Sequence, residues 1–91
     1  MAVAVTIDIR GGTAPLYEQV IAEVFPEGSL PDGWLVHIAG PTDEGWRVVN
    51  VVQSREQFQA FASERLLPAT RRVGDPTPEV SYVPVYKLIR N

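Results

Sequence analysis

Trp34 to Gln53 reads WLVHIAGPTDEGWRVVNVVQ, two apolar runs on either side of Thr42-Asp43-Glu44-Gly45. Runs rich in Val, Ile and Trp around a short turn-forming cluster specify a β-hairpin. A three-residue loop, Asp43-Glu44-Gly45 with Gly45 left-handed, sets Thr42 opposite Trp46. It then pairs Gly40 with Val48, Ile38 with Asn50 and Val36 with Val52. On the other face Leu35, His37, Ala39 and Pro41 lie against Gln53, Val51, Val49 and Arg47. A turn one residue longer, with Pro41 opposite Trp46, instead brings His37 beside Asn50. In the three-residue register both faces are mainly apolar, whereas a sheet with helices on one side needs only one apolar face. The second face therefore needs a cover, and a second copy of the same sheet is the economical one. The expected partner is the chain itself, as a homodimer through the sheet face.

Outward from the hairpin, Val3, Val5, Ile7 and Ile9 alternate with small or polar residues, the period-2 pattern of a strand over 2–9. Thr13 is an N-cap and Pro15 suits a first turn; Leu16, Tyr17, Val20, Ile21, Val24 and Phe25 then recur at helical spacing, predicting a helix over about 14–25. Pro26, Gly28, Pro31 and Gly33 punctuate the loop that leads into the hairpin. Beyond it, Ser54-Arg55-Glu56-Gln57 matches a capping box, with Gln57 reaching back to its cap. Phe58, Phe61, Ala62 and Leu66 form the apolar stripe of this second helix. Pro68 either ends it or begins a further turn that closes at Gly74. Asp75-Pro76-Thr77-Pro78 reads as a stiff linker, and Val80 to Ile89 as a last strand made an edge by Pro84. The order β-α-β-β-α-β defines an α+β, ferredoxin-like domain over residues 1–91, with a four-stranded antiparallel sheet and both helices on one face.

Composition narrows the function classes. The chain has no cysteine and a single histidine, so disulfides, thiolate metal sites and a cysteine nucleophile are excluded and no metal site is expected. A formal net charge of -3 argues against a nucleic-acid surface, since phosphate binding wants a basic patch. Arg71-Arg72, the one adjacent basic pair, reads as a solvated helix end. No apolar run approaches the ~20 residues that cross a bilayer, and MAVAVTIDIR lacks a basic leader followed by an apolar stretch. No membrane association and a cytoplasmic location are the expectation. Glycine-rich phosphate loops and the GxSxG elbow are missing, so any catalysis is expected to use no cofactor of its own.

The run HIAGPTDEGWRVVNVVQSREQFQAFASERLLPA, His37 to Ala69, resembles the stand-alone dimeric α/β-barrel proteins related to the antibiotic-biosynthesis monooxygenases. In that family a hairpin whose second strand starts on Trp runs into a capped helix of the form S-x-E-x-F-x-x-F, here Ser54, Glu56, Phe58 and Phe61. The resemblance implies two ferredoxin-like subunits with facing sheets, closing a homodimeric α/β barrel. It also implies a ligand pocket in each subunit, between helices and sheet. The superfamily spans cofactor-free oxygenases of aromatic polyketides, haem-degrading enzymes, decarboxylases and lactone isomerases, so activity has to be argued from the site. The only histidine here is on a strand, not on a helix as in the haem-degrading branch.

Two residues are candidates for catalysis. His37 is either a general acid or base or a histidine bonded within the sheet interface. Asn50, an amide amid VVNVV, either fixes a neighbouring segment or holds a ligand oxygen, because burying it unpaired is costly. Trp34, Trp46, Phe58 and Tyr82 are candidates for the wall of a pocket taking a small aromatic ligand, or else core. Such a pocket would run to several hundred cubic ångströms. Arg47 pairs with Asp43 or Glu44 at the turn, and Asp8 is a strand-end carboxylate or the partner that orients His37. The resulting reading is a homodimeric small-molecule-binding barrel protein: a cofactor-independent oxygenase, isomerase or cyclase on an aromatic or polyketide-like compound. A non-catalytic binding or assembly module, or an accessory protein to a co-encoded enzyme, is the alternative.

Overall fold

The computed structural model describes residues 1–91. In chain order the elements are β1 (Val3–Arg10), α1 (Ala14–Val24), β2 (Trp34–Thr42), β3 (Gly45–Val52), α2 (Arg55–Phe61), a π-turn (Ala62–Leu66), α3 (Leu67–Val73) and β4 (Glu79–Pro84). The strands form one antiparallel sheet in the order β2-β3-β1-β4, the ferredoxin-like arrangement. Alternation in β1 puts Val3, Val5, Ile7 and Ile9 on the helix face, where they pack with Val48, Val52 and a fully buried Phe58. A second cluster of Val20, Val24, Phe25 and Ala69 joins α1 to α3.

Both helix starts are capped by the expected residues. Thr13 Oγ1 accepts from Leu16 N–H at 3.3 Å, and Ser54 Oγ accepts from Gln57 N–H at 3.1 Å. The reciprocal arm of the capping box does not form, because the Gln57 side chain lies over Gly33, where a Cβ would sit 2.7 Å from its Oε1. Pro68 does not stop the helix. It lacks the N–H that would bond back to Glu64, and the π-turn immediately before it absorbs the missing bond, so that α3 runs on to Gly74 (φ 84°). The last strand is shorter than the sequence suggests. It ends at Pro84, and one further bond, Val85 N–H to Ala2 O at 2.9 Å, closes the pairing.

The hairpin corrects the expected register. Thr42 faces Gly45 and Pro41 faces Trp46, so the turn has two residues, Asp43 and Glu44, and His37 lies opposite Asn50. Gly45 is not left-handed. It is glycine because a Cβ there would lie 2.2 Å from Ile9 O and 2.6 Å from Gly11 N. The absence of a side chain lets Gly11 N–H bond Glu44 O at 2.8 Å, locking the hairpin tip onto the end of β1. A bulge between Trp34 and Val36 then restores the alternation at the start of β2.

Candidate functional site

With that register, His37 from β2 and Asn50 from β3 project together from the helix face, beneath Tyr17 of α1. Asn50 is 3% exposed, in the row where β3 pairs with Val5 of β1. His37 Nδ1 lies 2.6 Å from Asn50 Oδ1, and His37 Nε2 lies 2.6 Å from Tyr17 Oη. These contacts fix the proton positions. An amide oxygen only accepts, so Nδ1 carries the hydrogen and donates to Asn50; Nε2 then has only a lone pair and accepts from the Tyr17 hydroxyl. The ring is held by packing as well: Phe25 meets it edge-on with centroids 5.5 Å apart, and the Tyr17 ring lies nearly parallel to it at 6.0 Å. Burial, aided by the neighbouring charge of Glu18, raises the Tyr17 phenol above its ordinary value of 10.0, so the hydroxyl keeps its proton at neutral pH.

Tyr17, His37 and Asn50 line one side of a narrow cavity of about 40 Å³. Ile21, Phe25, Phe61 and Leu66 are part of its apolar lining, and Thr70 and Asp75 are its remaining polar residues. The volume is far below the several hundred cubic ångströms expected, because the α1 side chains and the helix pair on either side of the π-turn fill the space. It is room for a few waters, set against the ~150 Å³ that holds a benzene ring. Chemically the arrangement is a proton relay. A ligand proton can pass to Tyr17 Oη as the Tyr17 proton passes to His37 Nε2, and the imidazolium formed still donates from Nδ1 to Asn50.

The residues expected as the pocket wall lie elsewhere. Phe58 is 0% exposed, Trp34 packs on Phe58 and Phe61 with centroids 6.2 and 4.9 Å away, and Tyr82 meets Phe58 at 6.1 Å. Arg55 covers the Tyr82 ring, its guanidinium carbon 4.0 Å from the centroid. Trp46 packs on Tyr17 at 5.3 Å, so it stands behind the relay rather than in the cavity. Arg47 does not pair at the turn: its Nε donates to Asp8 Oδ1 at 2.6 Å, across the β1–β3 pair and on the open face of the sheet. Asp8 is therefore not the group that orients His37; Asn50 is. Glu44 at the turn pairs instead with Arg10 at 3.4 Å. Tyr17 was missed as a partner for His37, although its helical spacing with Ile21 and Val24 already aimed it at the sheet.

No family model matches the chain, and no curated protein matches it in sequence. Solved structures do match along the whole chain. SnoaB from Streptomyces nogalater, a cofactor-independent oxygenase, superposes with a TM-score of 0.65 at 14% identity, over 99% of this chain and 97% of its own. Rv0793 from Mycobacterium tuberculosis gives 0.72 at 16% identity, over 99% and 100%. A putative antibiotic biosynthesis monooxygenase from Deinococcus radiodurans gives 0.62 at 9% identity, over 100% and 98%. The chain thus shares the ferredoxin-like α+β fold of the antibiotic-biosynthesis monooxygenase-like proteins.

Proposed function

We propose that the protein is a homodimeric small-molecule-binding protein that moves a proton on a small hydroxylated aromatic ligand. The class of reaction is that of a cofactor-independent oxygenase, isomerase or cyclase. The observation that carries this reading is the Tyr17–His37–Asn50 chain, two bonds of 2.6 Å ending at an apolar cavity. A part-buried polar line of this kind costs stability relative to packed apolar residues, and sites of proton transfer are among the places where such lines are kept. His37 is the proton acceptor, Tyr17 the group that meets the ligand, and Asn50 the residue that fixes the imidazole tautomer. The oxygenase among the similar folds supports the class of chemistry by analogy only.

The dimer rests on the open face of the sheet. Val36, Ile38, Val49, Val51 and Val83 share it, with Ile38 and Val83 each 59% exposed. A patch of this kind on a sheet marks an association surface, and an isologous contact would bury it. Light scattering at micromolar concentration should give twice the chain mass; a monomer would remove this part of the reading.

One observation favours a second reading. The cavity, at about 40 Å³, is too small for an aromatic ring as it stands, which fits a module whose histidine and aromatics simply pack. The test is a panel of aromatic metabolites followed by tryptophan fluorescence, since Trp46 touches Tyr17. Binding, with turnover lost in His37→Ala while the dimer persists, supports the enzyme. A chain that binds no member of the panel supports the packing module.

A further inference from the structure

The segment expected to be a plain linker, Asp75 to Pro78, carries a group that the relay does not use. Asp75 follows the left-handed Gly74, and Gly74 N–H and Asp75 N–H both bond Thr70 O at 3.0 Å, which turns the chain back over the cavity. Asp75 and Pro78 both line that cavity. The Asp75 Oδ1 atom is buried and has no hydrogen-bond partner. A buried carboxyl oxygen left unpaired is costly, and such atoms call for a partner that the chain itself does not supply. Thr70, buried beside it, is already committed, its hydroxyl donating to Leu67 O at 2.8 Å.

We propose that Asp75 is a second ligand-binding residue, whose buried Oδ1 accepts a hydrogen bond from a hydroxyl group of the molecule held by Tyr17. This rests on the cavity being a ligand site, as proposed above. The ligand class follows from the donor and acceptor count. Tyr17 Oη has given its hydrogen to His37 and offers only lone pairs, and the Asp75 carboxylate, in its ionised form, likewise offers only lone pairs. Two acceptors lining one apolar cavity, once it widens from about 40 Å³ to admit a ring, select a small planar ring with two hydroxyl donors over a ring with one. Burial pushes the Asp75 carboxyl above its ordinary value, as expected of a group whose partner is missing.

The probes are hydroquinone and resorcinol against phenol, titrated into the full chain and followed by indole N–H shifts. The wild type should bind a dihydroxy ring at least ten-fold more tightly than phenol. Asp75→Val should reduce the dihydroxy ring to the affinity of phenol without changing phenol, whereas Asp75→Asn, which keeps an acceptor oxygen, should retain most of the preference. If Asp75→Val proves unfolded, the Asp75 carboxyl ¹³C shift in the wild type replaces it: movement with hydroquinone but not with phenol is expected. Equal affinities for one and two hydroxyls, an unchanged preference in Asp75→Val, or a carboxyl shift that ignores hydroquinone would each overturn the assignment. A wild type that binds none of the three rings would instead overturn the ligand site itself.

Discussion

Replacing Asn50 by Leu removes the acceptor of the His37 Nδ1–H while nearly keeping side-chain volume, and the structure sets the cost. Asn50 is 3% exposed between Val48 and Val52, so bulk water cannot take its place. The lost bond itself is worth about 0.5–1.5 kcal/mol, but the stranded imidazole N–H adds a desolvation penalty, for a total of about 1–3 kcal/mol. The cavity beside the ring has room for a few waters, and a water bonded to Nδ1 would bring the cost toward the low end of that range. For a domain of this size each kcal/mol lowers the melting temperature by roughly 4–8 °C. The diagnostic step is the triple variant Tyr17→Phe, His37→Leu, Asn50→Leu. Removing every member of this part-buried polar line leaves nothing unpaired, so it should return to within about 1 kcal/mol of the wild type or exceed it. Urea denaturation at fixed protomer concentration, with an unchanged slope, measures all of these. Costs that simply add from the single variants to the triple would show that the three side chains are not coupled, and the relay would fail with them.

Phe58→Ala should cost about 3–5 kcal/mol in the same assay, because the ring is fully buried beneath the sheet; a loss below 1 kcal/mol would mean that Phe58 faces a void. Gly45→Ala should prevent or badly impair folding, its Cβ falling 2.2 Å from Ile9 O, whereas Gly40→Ala, with nothing within 4 Å, should be nearly neutral by circular dichroism melts. Asp75 has a folded pKa raised by burial above its ordinary value of 3.8, so its contribution to stability is greatest below that value and is lost as pH rises through the folded pKa. Asp75→Asn should therefore be more stable than the wild type at pH 7, with the advantage shrinking as pH falls through the raised folded pKa and gone below the ordinary value of 3.8; an advantage independent of pH would refute this.

The parts of the fold legible in the sequence are those set by local chemistry. Alternation in Val3 to Ile9, the caps at Thr13 and Ser54 and the closing Gly74 each appear where the residues place them. Pro68 was ambiguous because a proline removes one bond without saying whether a widened turn can absorb the loss, and packing of Leu66 and Ala69 on α1 decides that it does. Asp75 was unreadable for a similar reason. Asp-Pro-Thr-Pro has the composition of an exposed connection, and its partial burial arises from the turn at Gly74 that carries Asp75 back over the cavity.

The register of the hairpin shows where pattern reading stops. Alternation specifies a register only when one face is apolar and the other polar, since a slip by one residue then exposes the core. In β2 and β3 both sets of alternate residues are largely apolar: Trp34, His37, Ala39 and Pro41 on one face, Val36 and Ile38 on the other. The pattern therefore penalises neither register, and the deciding term is a tertiary one, the approach of Gly45 to the backbone of Ile9 and Gly11. Two inferences drawn from the same stretch respond differently. The argument for a covered second face depends only on both faces being apolar, and it holds in either register. The site depends on which residue stands opposite Asn50. One step of slip replaces a histidine bonded to an amide with Ile38, and with it a proton relay with a buried, unpaired polar group. The contact that excludes this slip, glycine against strand backbone, lies at the hairpin tip, far along the strands from the imidazole that it places.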